Sequence, residues 1–170
     1  FISTPQTVVE ITDVNCPPNA YGTFLAGDST NLGLERGLLL TTGSIAVAQG
    51  PNKKVDTGVE NKTPGDPDLD YLSKIQGEGS LSNDACIVEL DVFAATNELT
   101  FEYVFASEEY PEFVNTEFND IFAFFISGPG IAGDPNINNQ RNIAVLPDGI
   151  TPVQINSVSH LSNWQYFRNN

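Results

Sequence analysis

Two stretches in the middle of the chain alternate apolar and polar residues, and this pattern most constrains the fold. In "CIVELDVFA", residues 86–94, the apolar Val88, Leu90 and Val92 are separated by carboxylates. "LTFEYVFA", residues 99–106, repeats the pattern with larger apolar residues. Alternation with a period of two is typical of β-strands that bury one face. The four-residue link "ATNE" between them has hairpin length, so the sequence predicts a pair of antiparallel strands.

The rest of the chain also favours short strands. "TVVEIT", "NIAVLP" and "VQINSV" predict strands, as do residues 38–42 and 45–48, and "IFAFFIS" reads as a central strand covered on both faces. One helical turn is expected near residues 70–75. Fourteen Gly and eleven Pro in 170 residues indicate many tight turns. These features predict one all-β domain, residues 1–170, built as an antiparallel β-sandwich with jelly-roll-like connections.

The charge of the chain excludes several partners. Seven Lys and Arg oppose 22 Asp and Glu, which gives a net charge of −15. Such a surface repels phosphate backbones, so nucleic acid is not expected as a partner. The chain has no apolar run of about 20 residues, so direct membrane insertion is not expected either.

Since the sequence contains no Met, we expect the natural precursor to begin upstream of Phe1.

The most unusual segment is an acidic loop between "YVFA" and "IFAFF", within a stretch, residues 75–140, that contains no Lys or Arg. The loop carries five carboxylates: Glu108, Glu109, Glu112, Glu117 and Asp120. Clustered carboxylates raise one another's pKa or attract a cation. Calcium, which takes six to eight oxygen ligands, suits this set, with Asn119 beside it and the spaced acids of "GDPDLD" upstream. The alternative is a solvated acidic loop, although the interleaved Tyr110, Phe113 and Phe118 indicate that the loop is packed.

Catalysis or sugar binding is a further alternative. Glu109 facing Asp120 or Glu102 would resemble the carboxylate pair of a glycosidase. The single histidine, His160, has no nucleophile elbow before it. Near the end of the chain three aromatic residues predict either a sugar-stacking shelf or part of the core: Trp164, Tyr166 and Phe167.

Two cysteines, Cys16 and Cys86, lie far apart in sequence. They fit neither a zinc cluster nor a C-x-x-C redox motif. Either one disulfide or two buried thiols is consistent with them.

One long motif carries a family resemblance. "YVFASEEYPEFVNTEFNDIFAFFISGPG" resembles the hallmark of the choice-of-anchor L domain of secreted and surface-attached bacterial proteins, and "GLERGLLLTTGSIAVAQGPN", "GDPDLD" and "NDACIVELDVFA" resemble its N-terminal half. The similarity runs from about Gly22 onward. Placed on this sequence, the family's acidic signature falls on Glu108, Glu109, Asn119, Asp120 and Asp84. Together with Asp70, the last acid of "GDPDLD", these residues are the expected metal ligands.

The resemblance implies an extracellular, surface-attached β-sandwich module without a defined enzymatic activity. Family members continue past "NWQYFRNN", so the last strands are expected to lie outside this sequence, to be cleaved away, or to come from a neighbouring subunit by strand addition. We therefore expect a non-enzymatic module for adhesion or assembly, with structural Ca²⁺ and with other copies of itself, other surface proteins or surface glycans as partners. The alternative is a carbohydrate-binding or glycan-hydrolysing β-sandwich that uses the same acidic rim.

Overall fold

The structure, a computed structural model, describes residues 6–25, 29–50, 54, 57–77, 79 and 81–169. Within these residues lie one α-helix, α1 (Pro67–Ile75), and eight strands: β1 (Val8–Asn15), β2 (Tyr21–Leu25), β3 (Arg36–Leu40), β4 (Ile87–Phe93), β5 (Ile121–Phe122), β6 (Phe125–Ile126), β7 (Arg141–Asn142) and β8 (Val153–Gln154). The strands form four two-stranded antiparallel sheets, which pair β1 with β4, β2 with β3, β5 with β8 and β6 with β7. The antiparallel, mostly β character agrees with the all-β part of the predicted fold class, and the sandwich stays a prediction.

The described chain groups into two compact units. Unit 1 comprises Phe1–Gln49, Val59–Lys62 and Asp84–Val104, and holds the β1–β4 and β2–β3 sheets. A disulfide joins Cys16, which follows β1, to Cys86, which precedes β4. β1 and β4 form a two-stranded ribbon, and the disulfide closes the end of this ribbon where Asn15 pairs with Ile87. This bond settles the choice between a disulfide and two free thiols.

A second link in unit 1 comes from Asn61. Its backbone N–H donates to Asp84 Oδ2 at 2.8 Å, and its side-chain amide donates to the carbonyls of Thr42 and Gly43 at 2.8 and 2.9 Å. Asp84 is buried and adopts a left-handed backbone conformation, with φ 53°. Asn61 therefore ties three separate stretches of the chain together.

Unit 2 comprises Gly50–Gly58, Thr63–Asn83 and Phe105–Asn170 and contains most of the described core. Its buried apolar side chains are Leu72, Ile137, Ala144, Leu146, Val153, Ile155 and Val158, whereas Ala20 is the counterpart in unit 1. Asp66 caps the N-terminus of α1, and its carboxylate accepts hydrogen bonds from the N–H groups of Asp68 and Leu69. Pro67 occupies the first turn, where its missing N–H costs no hydrogen bond. The predicted helical turn is thus confirmed and extends further toward the N-terminus.

Several predicted strands take other forms. The strands predicted from "TVVEIT" and "CIVELDVFA" are present as β1 and β4. They pair with each other, so the predicted hairpin through "ATNE" is wrong. Residues 98–107 form no strand, and residues 45–48 lead into a 3₁₀ turn at Val47–Gln49. The continuous central strand predicted for "IFAFFIS" is two short strands, β5 and β6, because each pairs with a different partner. The strands that form pair with segments far away in the chain, and the pattern of a single segment does not reveal such partners.

Candidate functional site

The candidate site is the acidic loop, residues 107–120, which belongs to unit 2 and leads into β5. Ser107 links the two ends of the loop. Its hydroxyl donates to Asp120 Oδ2 at 2.8 Å and accepts the N–H of Glu109 at 3.1 Å. A short turn follows, in which the N–H of Phe113 donates to the carbonyl of Glu109 at 3.0 Å. The first acids of the motif are thereby held next to the last one.

Aromatic side chains pack the loop down. The rings of Phe113 and Phe118 meet edge to face at 5.5 Å, and Tyr110 lies 5.0 Å from Phe167 between ring centroids. The Tyr110 hydroxyl donates to the carbonyl of Val158. Edge-to-face pairs of this kind add to the stabilisation from burial. The predicted packing of the loop is confirmed for Tyr110 and Phe113, whereas Phe118 touches Phe113 but stays 52% exposed.

The packing shields two carboxylates, those of Glu109 and Asp120, from water. Glu109 Oε2 is buried and has no hydrogen-bond partner. Burial, and then the charges of Asp120 and Glu108, raise the pKa of Glu109 to about 7. Burial also raises the pKa of Asp120, against the opposing effect of the hydrogen bond from Ser107. The loop therefore holds two acids that resist ionisation, in a region of the sequence without Lys or Arg.

The segment after β8 clamps the other side of the loop. The N–H of Ile155 donates to the carbonyl of Asp120 at 3.2 Å, and the N–H of Asn156 donates to Asn119 Oδ1 at 3.1 Å. Asn156 Oδ1 in turn accepts the N–H of Asn115 at 2.6 Å. The side-chain Nδ2 of Asn119 is buried without a hydrogen-bond partner. Asn119 thus positions the loop while leaving one polar atom unsatisfied.

The predicted ligands are brought together only in part. Asp120 and Glu108 lie close enough to Glu109 for their charges to raise its pKa. Asp70 lies on α1, where its Oδ1 accepts the N–H and the hydroxyl of Ser82, both at 2.6 Å. Asp84, in unit 1, accepts the backbone N–H of Asn61. Among the residues that the structure describes, no three His, Cys, Asp or Glu side chains are grouped so as to hold a metal.

Sequence reasoning missed two residues that build this site. Ser107 bridges the acids, and Asn156 clamps the loop. Ser107 could have been noticed because a short hydroxyl directly before two acids often caps the turn they start. The Asp66–Pro67 pair could likewise have shown that "GDPDLD" starts a helix, since a helix N-cap followed by Pro has that form.

With this geometry in place, the comparison with protein families is decisive. A family model for the choice-of-anchor L domain matches residues 2–170. The chain belongs to the choice-of-anchor L domain family. The match confirms the resemblance and extends it from about Gly22 to residue 2. Comparisons with curated proteins and with solved structures gave no match.

Membership makes this choice-of-anchor L domain an extracellular, secreted or surface-associated module, in a family that is not a known enzyme family. Within the described residues, no helix is long and apolar enough to span a membrane.

Proposed function

We propose that this choice-of-anchor L domain is a non-enzymatic module for surface attachment or assembly whose acidic loop binds Ca²⁺. The family match over residues 2–170 carries the surface role. Open strand edges support attachment by strand addition, since each described sheet has only two strands and each strand pairs on one side. The finer fold that we propose for these strands is an antiparallel, jelly-roll-like β-sandwich.

The unsatisfied Glu109 Oε2 is the observation that supports calcium. A cation beside Glu109 and Asp120 would replace the water lost by burial and relieve the repulsion with Glu108. Because the described side chains form no ready metal cluster, calcium binding requires these carboxylates to draw together. Calcium would therefore order the loop and bind with the modest affinity typical of extracellular modules, with a Kd of about 0.1–1 mM.

The test is a thermal melt in EDTA and again in calcium at about 5 mM, above that Kd range. A ligand that binds only the folded state raises the midpoint by mass action. We expect a rise in the wild type, no rise in Asp120→Asn, and an undiminished rise in Glu117→Gln, which removes an exposed carboxylate from the same loop. An unchanged wild-type midpoint would exclude the calcium role.

Glycan binding is the second candidate, and the exposure of two aromatic residues favours it. Trp164 is 70% exposed and Tyr166 is 50% exposed within one 3₁₀ turn. Exposed aromatic rings can stack on sugar faces. Glycan-array binding that persists at saturating calcium and is lost in Trp164→Ala would favour this function. Assembly that depends on calcium and ignores sugars would favour the first.

A further inference from the structure

The β1–β4 ribbon has an apolar face that remains largely open. Directly opposed residues of an antiparallel pair share a face, so Val9 and Val92 lie together, as do Ile11 and Leu90. Val9 is 55% exposed, Ile11 56% and Val92 40%. Apolar side chains in register along a strand pair are usually covered. Here they present an apolar stripe that is most exposed on β1.

The opposite face of the same ribbon carries an exposed apolar pair at one end, Val8 opposite Phe93, and next to it four carboxylates that make up its acidic part, called the acidic face below. Glu10 lies opposite Asp91, and Asp13 lies opposite Glu89 after a register shift at residue 12. All four carboxylate side chains are exposed. Like charges directly across a strand pair are destabilising. In the part of the chain that the structure describes, the recorded ion pair joins Lys62 to Glu60 and lies outside the ribbon. The ribbon thus carries an unfavourable arrangement that positive charge would relieve.

The third feature of the ribbon is the edge of β1 that faces away from β4. Within the described residues, β1 pairs with β4 and with no other strand. Its free backbone groups can accept another strand, and a two-stranded ribbon is only marginally stable without one. Side chains of an added strand would alternate between the apolar stripe and the acidic face.

We propose that the β1 edge of this ribbon binds an extended protein segment in which apolar and basic residues alternate. Apolar side chains of the segment continue the stripe of Val9 and Ile11, and its Lys or Arg side chains face Glu10 and Asp13. A second copy of the chain fits poorly, because its net charge of −15 would bring more negative charge to an acidic face. The assignment rests on the proposed attachment role and gives that role a partner chemistry.

The binding test uses three labelled peptides in EDTA, so that it is independent of the calcium site. One alternates Lys with Val or Ile over about seven residues, a typical strand length. The second has the same composition with the lysines grouped together, and the third replaces Lys with Glu. We expect fluorescence anisotropy to show at least tenfold tighter binding of the alternating basic peptide than of either control. Equal binding of the grouped peptide would reduce the effect to general charge attraction and overturn the proposal.

Variants locate the site. Glu10→Lys with Asp13→Lys should weaken binding of the alternating peptide at least tenfold. Glu35→Lys with Glu98→Lys makes the same charge change at exposed positions of unit 1 outside the ribbon, and should change binding less than twofold. Hydrogen exchange should show new protection of β1 amides when the peptide is present. Equal loss in both double variants, or β1 amides already protected in the free chain, would refute the assigned edge.

Discussion

Replacing Glu109 by Gln is expected to stabilise the protein above neutral pH. Burial, Asp120 and Glu108 raise the pKa of Glu109 from 4.5 to about 7. The folded state therefore holds a proton that the unfolded chain releases. The stability that this proton contributes is fully present below pH 4.5 and is lost as the pH rises through about 7.

The size of the effect follows from the pKa difference. At 1.36 kcal/mol for each pKa unit, the change from 4.5 to about 7 corresponds to about 3.4 kcal/mol. Glu109 is only half-buried, so solvent screening reduces this figure to about 1–2 kcal/mol. For a chain of this length, that change moves the melting midpoint by about 3–6 °C.

The assay is thermal unfolding of the wild type and Glu109→Gln between pH 4.5 and 8 in EDTA. The two melting midpoints should agree at pH 4.5, where the wild-type carboxyl is protonated, and the variant should melt about 3–6 °C higher at pH 8. Glu117→Gln removes a carboxylate that is exposed in the same loop, and should gain much less at pH 8. A pH-independent difference for Glu109→Gln, or an equal gain in Glu117→Gln, would refute the argument from burial.

Three further predictions concern the scaffold. Cys86→Ser should lower the free energy of unfolding by about 4 kcal/mol, because the bond closes a loop with a sequence separation of 70; urea titration with and without reductant measures this, and identical midpoints would contradict it. Asn61→Ala should cost about 1–3 kcal/mol by leaving the Thr42 and Gly43 carbonyls without their donor, with Asn61→Gln as the control that keeps the amide. Asp66→Ala should cost about 1 kcal/mol through loss of the α1 cap, whereas Asp66→Ser should retain most of it, as read from thermal melts.

The parts of the fold that the sequence predicts correctly are those decided locally. The β-branched residues of β1 and the alternation of β4 were sufficient to place both strands, and the interleaved aromatics correctly indicated a packed loop. Pairing partners were not predictable in this way. Residues 99–106 alternate as well as β4 does, yet they form no strand, because alternation alone does not supply a pairing partner.

The candidate site shows the same division. The acids of the loop were identified because so many occur in a short segment, and the structure shows how Ser107 links Glu109 to Asp120 across the two ends of the loop. The acids of "GDPDLD" have the same spacing as calcium ligands, yet they also suit a helix start, and only the surrounding structure distinguishes the two. Asp66 caps α1, while Asp70 binds Ser82. Whether calcium joins these groups stays a prediction.

Because of the Cys16–Cys86 bond, the stability of the ribbon depends on the redox state of its surroundings. Disulfides of this kind form in oxidising surroundings outside the cytoplasm. A newly made chain in a reducing compartment therefore lacks the bond that holds the start of β4 against the end of β1. The ribbon reaches its final stability only after export. A chain held in a reducing compartment and one in oxidising surroundings therefore differ in the stability of this ribbon, although their sequences are identical.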